Sequence, residues 1–154
     1  MLSIEARIEK HAQHTPNKLA VVSAHGATTY QQLLQQATTH AQQYQGMQQQ
    51  GVVLTATSDV EFLVSYFAVH MAGAVAVLLP ATATPQQVHQ MQNALQQFTF
   101  PEGSADVLFT TGTTGTPKGA VISTQAIAAT AENIIHAQAY RPDITFIIPG
   151  QLNH

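Results

Sequence analysis

The chain has 154 residues, enough for one globular domain with a core of its own. Nearly half of it is apolar and only 8% is charged, with eight acidic against five basic residues. That balance is too weakly basic to hold a nucleic-acid backbone, and no Lys/Arg cluster marks a membrane surface. The absence of cysteine removes disulfides, thiolate zinc sites and thiol catalysis.

The N-terminus, MLSIEARIEK, is charged and periodic and has no apolar h-region, so no signal peptide is expected. The spacing predicts a first helix over residues 4–14, with Ser3 as its cap and Ile4, Ile8 and Ala12 on one face. Thr15-Pro16-Asn17 stops it, and residues 19–23 read as a strand before a turn at His25-Gly26. Thr29 and Gln32 make a capping box for a helix that sets Tyr30, Leu33, Leu34, Ala37, Ala41 and Tyr44 on one side. The glutamine-rich run QQYQGMQQQG frays into a loop around Gly46 and Gly51. A strand over 52–57 follows, then a capping box of Ser58 and Glu61 opening helix 59–72, which Gly73 ends. The apolar stretch 66–79 is too short to cross a membrane and is interrupted by His70 and Gly73. A cytoplasmic location is therefore the expectation.

Residues 74–79 read as a third strand, closed by Pro80. Thr84 caps the next helix, Pro85 takes its first turn, and Val88, Met91 and Leu95 face the core. Residues 98–104 read as a connection, 107–109 as a short strand, 110–119 as a loop, 120–123 as a strand or its stub, and 124–138 as a helix. Residues 145–148 read as a last strand. Strand and helix alternate throughout, which predicts an α/β fold, a layered sheet with flanking helices and substantial parallel pairing.

The chemistry concentrates in FTTGTTGTPKGAV, residues 109–121. Gly112, Gly115 and Gly119 let backbone amides approach a ligand closely, and successive amides make an anion-binding nest. Thr110, Thr111, Thr113, Thr114 and Thr116 add hydroxyl donors. Lys118 adds charge, the one formal cation between Lys18 and Arg141. Pro117 stiffens the loop just ahead of it. Hydroxyls, free amides and one ammonium suit a polyphosphate, and no evident nucleophile or base accompanies them, so the expected work is binding and charge stabilisation. Pro117 before the lysine and Gly119 after it exclude a Walker A loop, and the glycine spacing excludes the dinucleotide fingerprint. On the residues alone, a Gly/Thr hairpin without ligand remains the alternative.

The string resembles the signature of the adenylate-forming superfamily, Tyr/Phe-Thr-Ser-Gly-Ser/Thr-Thr-Gly-x-Pro-Lys-Gly. That superfamily includes acyl- and aryl-CoA synthetases, nonribosomal peptide adenylation domains and luciferases. Phe109, Thr110, Gly112, Thr113, Thr114, Gly115, Pro117, Lys118 and Gly119 match, and Thr111 keeps a hydroxyl where serine is usual. HTPNKLAVV, TTYQQLLQQA, MAGAVAVLLPATATP and IIPGQLNH are similar, in order, to further family segments. Departures are Thr124 where many members have histidine, Gln151 where proline is usual, and a short span before the loop.

The resemblance implies a two-step reaction. A carboxylate attacks the α-phosphate of ATP, with Mg2+, to give an acyl-adenylate and pyrophosphate. A thiol of coenzyme A or of a carrier pantetheine then takes the acyl group. Residues 110–119 would hold the β- and γ-phosphates. His154 would stand beside the carboxylate substrate, and an acyl or aryl acid is the substrate class it favours. The acid pocket, the adenine and ribose contacts and the C-terminal lid would lie beyond His154 in such an enzyme. The reading is thus of the N-terminal part of an AMP-binding domain over residues 1–154, inactive when isolated. A short nucleotide-binding or interaction module of the same ancestry, without catalysis, is the alternative, and a structural remnant without ligand is a third.

Other polar residues carry less. His11 and His14, three apart, permit a shared metal ligand but read as solvent-facing or cap-proximal side chains, and no metal site is expected. Asp106 and Glu102 are the carboxylates near the loop; neither has an obvious acid–base partner, and Asp106 reads as a strand-edge or turn residue. Ile144, Phe146, Ile147 and Ile148 have little chain after them to cover them, which predicts self-association through the last strand.

Overall fold

The computed structural model describes residues 2–110, 118–141, 143–150 and 152. Among the described residues there are twelve elements, most of them started or stopped by local signals that the sequence shows. Helix α1 (Ile4–His14) begins at Ser3, whose hydroxyl accepts from the Ala6 amide. Strands β1 (Leu19–Ser23) and β2 (Gly26–Thr29) form an antiparallel hairpin. The Ser23 hydroxyl accepts from the His25 amide and donates to the Gly26 carbonyl, which holds the turn. Strand β2 is not expected from the sequence: GATT lacks the apolar alternation that marks a strand, and it pairs because β1 lies beside it.

Helix α2 (Tyr30–Ala41) carries the full Thr29–Gln32 capping box and runs into a short 3-10 turn, Gln42–Tyr44. Strand β3 (Gly51–Ala56) leads to α3 (Val60–Met71). Its cap is Asp59, accepting from the Phe62 amide at 2.8 Å, and not the expected Ser58. The carboxylate one residue later reaches the same orphan amides, with the benefit of its charge at the positive end of the helix. Gly73 ends α3 at φ +71°, with Gly73 N–H donating to His70 O and Ala74 N–H to Val69 O, the six-to-one closure of a Schellman turn.

Strand β4 (Val75–Pro80), helix α4 (Pro85–Leu95), strands β5 (Ser104–Thr110) and β6 (Lys118–Ser123) and helix α5 (Thr124–Ala137) complete the set. The main sheet has the order β3-β4-β5-β6; the first three strands are parallel and β6 returns antiparallel beside β5. The α/β layered fold with flanking helices is therefore present. One sheet face carries Ala56, Ala76 and Leu78 against Phe62 and Val69 of α3, which in turn packs through Val64 and Phe67 onto Ile8 of α1 and Leu33 and Ala37 of α2. The other face carries Val75, Val77 and Val107 against Phe100, with Met91 and Leu95 of α4. Gly51 makes that second face tight: a Cβ there would meet Phe100, Val77 and Leu95 side chains at 3.0–3.1 Å.

Residues 144–149 form no strand, against expectation. A strand needs a ladder partner, and this segment pairs with no described strand; Phe146 instead sets its ring edge-on to Tyr140 at 4.5 Å. Ile144, Phe146, Ile147 and Ile148 are exposed.

Candidate functional site

The signature segment is held by the β5–β6 hairpin. Thr110 pairs with Lys118 and Phe109 with Gly119, so residues 111–117 connect two strand ends fixed opposite each other. Both strands are longer than the sequence suggested, because the ladder continues to Ser104 on one side and to Lys118 on the other. Lys118 is thus the first residue of β6 and is exposed there. Gly119 has a structural reason of its own: a Cβ would meet Val107 at 3.1 Å and the Phe109 ring at 3.3 Å, so the glycine leaves room for Phe109 on its cross-strand partner. Thr111, Gly112, Thr113, Thr114, Gly115, Thr116 and Pro117 lie outside the described residues, as does His154. The hairpin gives this loop a firm root: β5 is central, pairing with β4 on one side and β6 on the other.

A second polar constellation sits below that root, and sequence reasoning missed it. Asp106 is no edge residue. It lies inside β5, pairs with Ala76 of β4 and Ile122 of β6, and is buried. Its Oδ2 accepts from the Tyr66 hydroxyl at 2.9 Å and its Oδ1 faces His70 Nε2 at 2.9 Å. The other ring nitrogen, His70 Nδ1, faces Glu5 Oε1 at 2.8 Å. Burial by itself lowers the basicity of His70, but the hydrogen bonds to Asp106 and Glu5 outweigh it and push the imidazole up to about 9. Burial raises the Glu5 carboxyl, yet the bond to His70 leads a set of contacts that leave it below the usual carboxylate value. Burial and the neighbouring Asp106 push the Tyr66 hydroxyl well up, which keeps it a proton donor. The partners lie 36, 40 and 65 residues apart in sequence, so no local spacing announces the cluster.

The remaining candidates are scattered. His11 stacks on Tyr30 at 4.7 Å, while His14 Nδ1 lies 2.8 Å from its own helix carbonyl at Lys10, so the two do not converge on a shared ligand. Among the described residues no group of three His, Asp or Glu side chains converges as a metal site. No helix among them is long and apolar enough to cross a membrane.

Residues 8–100, more than half of the chain, match the AMP-binding enzyme family. The chain belongs to that family of adenylate-forming, AMP-forming ligases. The matched segment stops short of Thr110, so the phosphate-loop assignment rests on the motif itself. Among solved structures, the fold is similar to o-succinylbenzoate CoA synthetase (MenE) from Bacillus subtilis in complex with the acyl-adenylate intermediate OSB-AMP. That match has a TM-score of 0.77 and 17% identity, and covers 99% of this chain and 50% of that one. It is also similar to VinN in complex with 3-methylaspartate, with a TM-score of 0.74, 16% identity, and 91% and 52% of the two chains covered. The N-terminal subdomain of Klebsiella oxytoca NpsA, in complex with 3-hydroxyanthranilyl-AMSN, matches with a TM-score of 0.66 at 20% identity, over 83% and 42%. At these identities the likeness is one of fold. The chain spans about half the length of the solved structures it matches. No curated protein sequence matches it.

Proposed function

We propose that the chain forms the phosphate-gripping N-terminal part of an ATP-dependent ligase that activates a carboxylic acid as its adenylate and passes the acyl group to a thiol, that of coenzyme A in the first instance. The observation that carries this reading is the eleven-residue signature rooted between the paired ends of β5 and β6. Backbone amides, the threonine hydroxyls of residues 110–116 and the Lys118 ammonium bind the β- and γ-phosphates. When the carboxylate attacks the α-phosphate, negative charge grows on the departing pyrophosphate. A loop that holds that charge lowers the barrier more than it tightens ground-state binding.

Mg2+ accompanies ATP in such reactions. The carboxylate nearest the loop root, Asp106, has both oxygens engaged by Tyr66 and His70, and no other described carboxylate cluster presents itself. Pantetheine on a carrier protein is the other acceptor of the same chemistry, and an acyl or aryl acid is the substrate class suggested by the IIPGQLNH segment, whose His154 would line the acid. A nucleotide-binding or interaction module of the same ancestry, without catalysis, is the second reading.

Calorimetric binding of pyrophosphate and of ATP to the chain tests the common element of both. Lys118→Ala removes a charged hydrogen-bond donor worth ~1.5–3 kcal/mol, so pyrophosphate affinity falls roughly 10- to 150-fold. Thr114→Ala costs less, since one neutral donor among several is lost. Equal affinity for wild type and Lys118→Ala, or no binding by wild type, overturns the loop assignment. Carboxylate-dependent ATP–pyrophosphate exchange by the isolated chain is expected to be absent, and exchange above background would show that residues 1–154 already hold a complete adenylation site.

A further inference from the structure

We propose that Glu5, His70 and Asp106 form a proton-operated latch that fastens α1 to α3 and β5, closed when the imidazole carries both its protons and released as it loses one. This goes beyond nucleotide binding and does not depend on it. The geometry makes the argument. Each ring nitrogen of His70 faces a carboxylate oxygen, at 2.8 Å to Glu5 and 2.9 Å to Asp106. A neutral imidazole has one N–H and one lone pair, so it satisfies one carboxylate and turns a lone pair on the other. Only the imidazolium donates twice. The side chains are largely removed from water, 7% exposed for His70, 9% for Asp106 and 16% for Glu5, so a lost hydrogen bond is not replaced by solvent at once.

The rest of α1 makes the latch matter. Ile8 is its single buried residue, Ile4 packs half-buried beside it, and His11 stacks on Tyr30 of α2. Among the described residues the helix has one ion pair besides the latch, Arg7 to Glu132 of α5 at 2.6 Å, and that pair is partly exposed. The groups facing His70 are Glu5 from α1, Tyr66 from α3 and Asp106 from β5. Glu9 lines the same groove, to which α2 contributes only the uncharged Thr38 and Ala41. That groove, of about 500 Å³ and open to solvent, gives the ring a route for proton exchange.

The direction follows from linkage. His70 is raised from 6.5 to about 9, so its contribution is complete below pH 6.5 and is lost as pH rises through about 9. Glu5 is lowered from 4.5, so its contribution is present above pH 4.5 and is lost as pH falls through its folded value. The latch therefore contributes its full stability between about pH 4.5 and 6.5, its contribution falls as pH rises further, and the folded imidazole gives up its second proton near 9.

Amide hydrogen exchange across pH 5.5–9, corrected for intrinsic rates, reads the opening of α1 against the core strand β4. The expected result is an α1 opening equilibrium that rises with pH above 7, by up to about tenfold per pH unit, the limit for one linked proton. β4 rises less, and His70→Gln removes the α1 slope. Opening of α1 that is independent of pH, or that moves in step with β4, overturns the latch. Should His70→Gln fail to fold, Glu5→Gln halves the cluster from the helix side and is expected to flatten the same slope; an unchanged slope overturns it. The wild-type ring provides a check without any variant: an NMR titration midpoint for His70 well above 8 supports the latch, and one at or below 6.5 sinks it.

Discussion

Strands β4 and β6 belong to one sheet and are both rich in apolar residues, yet their surroundings differ completely. Val75–Leu79 are buried in β4, with only its last residue, Pro80, half-buried, whereas β6 is exposed at every position except Ile122, which is half-buried. The helices repeat the contrast: α3 buries five residues and α5 one, Ala128. The cause is coverage. β4 is flanked by β3 and β5 and has α3 on one face and α4 on the other. Among the described residues β6 has a neighbour on one side only, and Val121, Ile134 and Ile135 stay exposed. Stability is therefore concentrated in the β3–β5 half, while the half that carries the signature loop offers surface.

Substitutions break or sharpen that contrast. Phe62→Ala removes a buried ring of α3 from the face against Ala76 and Leu78, and the expected loss is ~3–5 kcal/mol in urea unfolding, the range for aromatic truncation in a close-packed core. A loss under ~1 kcal/mol would show that the α3 face is loosely packed and that the two halves are alike. Gly51→Ala tests the opposite face. Its new methyl meets three side chains at 3.0–3.1 Å, so overpacking costs ~1–3 kcal/mol, whereas an unchanged unfolding midpoint would mean that Phe100 and Leu95 move aside freely. Asp59→Ala strips the α3 cap and costs ~1 kcal/mol, read by the same unfolding curve; no change would return the capping role to Ser58.

Local signals in the sequence reached the elements that local physics decides. Ser3, Thr29 and Thr84 cap where expected because a capping hydroxyl acts within three residues, and Gly73 ends α3 because the left-handed turn asks for it there. The apolar run of β4 is legible because a strand covered on both faces has no polar alternation. What escaped depends on distant partners. β2 exists through pairing with β1, and the start of β5 at Ser104 through pairing with Ser123. Asp106 sits in a strand centre because Tyr66 and His70 satisfy it from α3, which no spacing around residue 106 reveals. Residues 145–148 fail in the reverse sense: their composition suits a strand, but no ladder receives them. The motif of the loop lies mostly outside the described residues, and the hairpin that roots it was legible only as two short strands.

The smallest effect on folding is expected at Ile147, and it is the one that says most about the exposed half. Its side chain is 89% exposed, so Ile147→Ser removes almost no buried contact and should change unfolding by no more than ~0.5 kcal/mol. Association behaves differently. Ile144, Phe146, Ile147 and Ile148 form an apolar run in water, and contact with a second copy would bury them. Fully burying one such isoleucine is worth ~1.5–3 kcal/mol, so its loss from a self-contact raises the dissociation constant at least roughly tenfold. Sedimentation equilibrium over a wide concentration range measures this directly. A wild-type chain that stays monomeric throughout removes the self-contact altogether. Association that survives Ile147→Ser but is abolished by Val121→Ser moves the contact from the 144–148 segment to β6. That second outcome would place the interface on the strand that begins with Lys118, at the root of the loop proposed to grip phosphate.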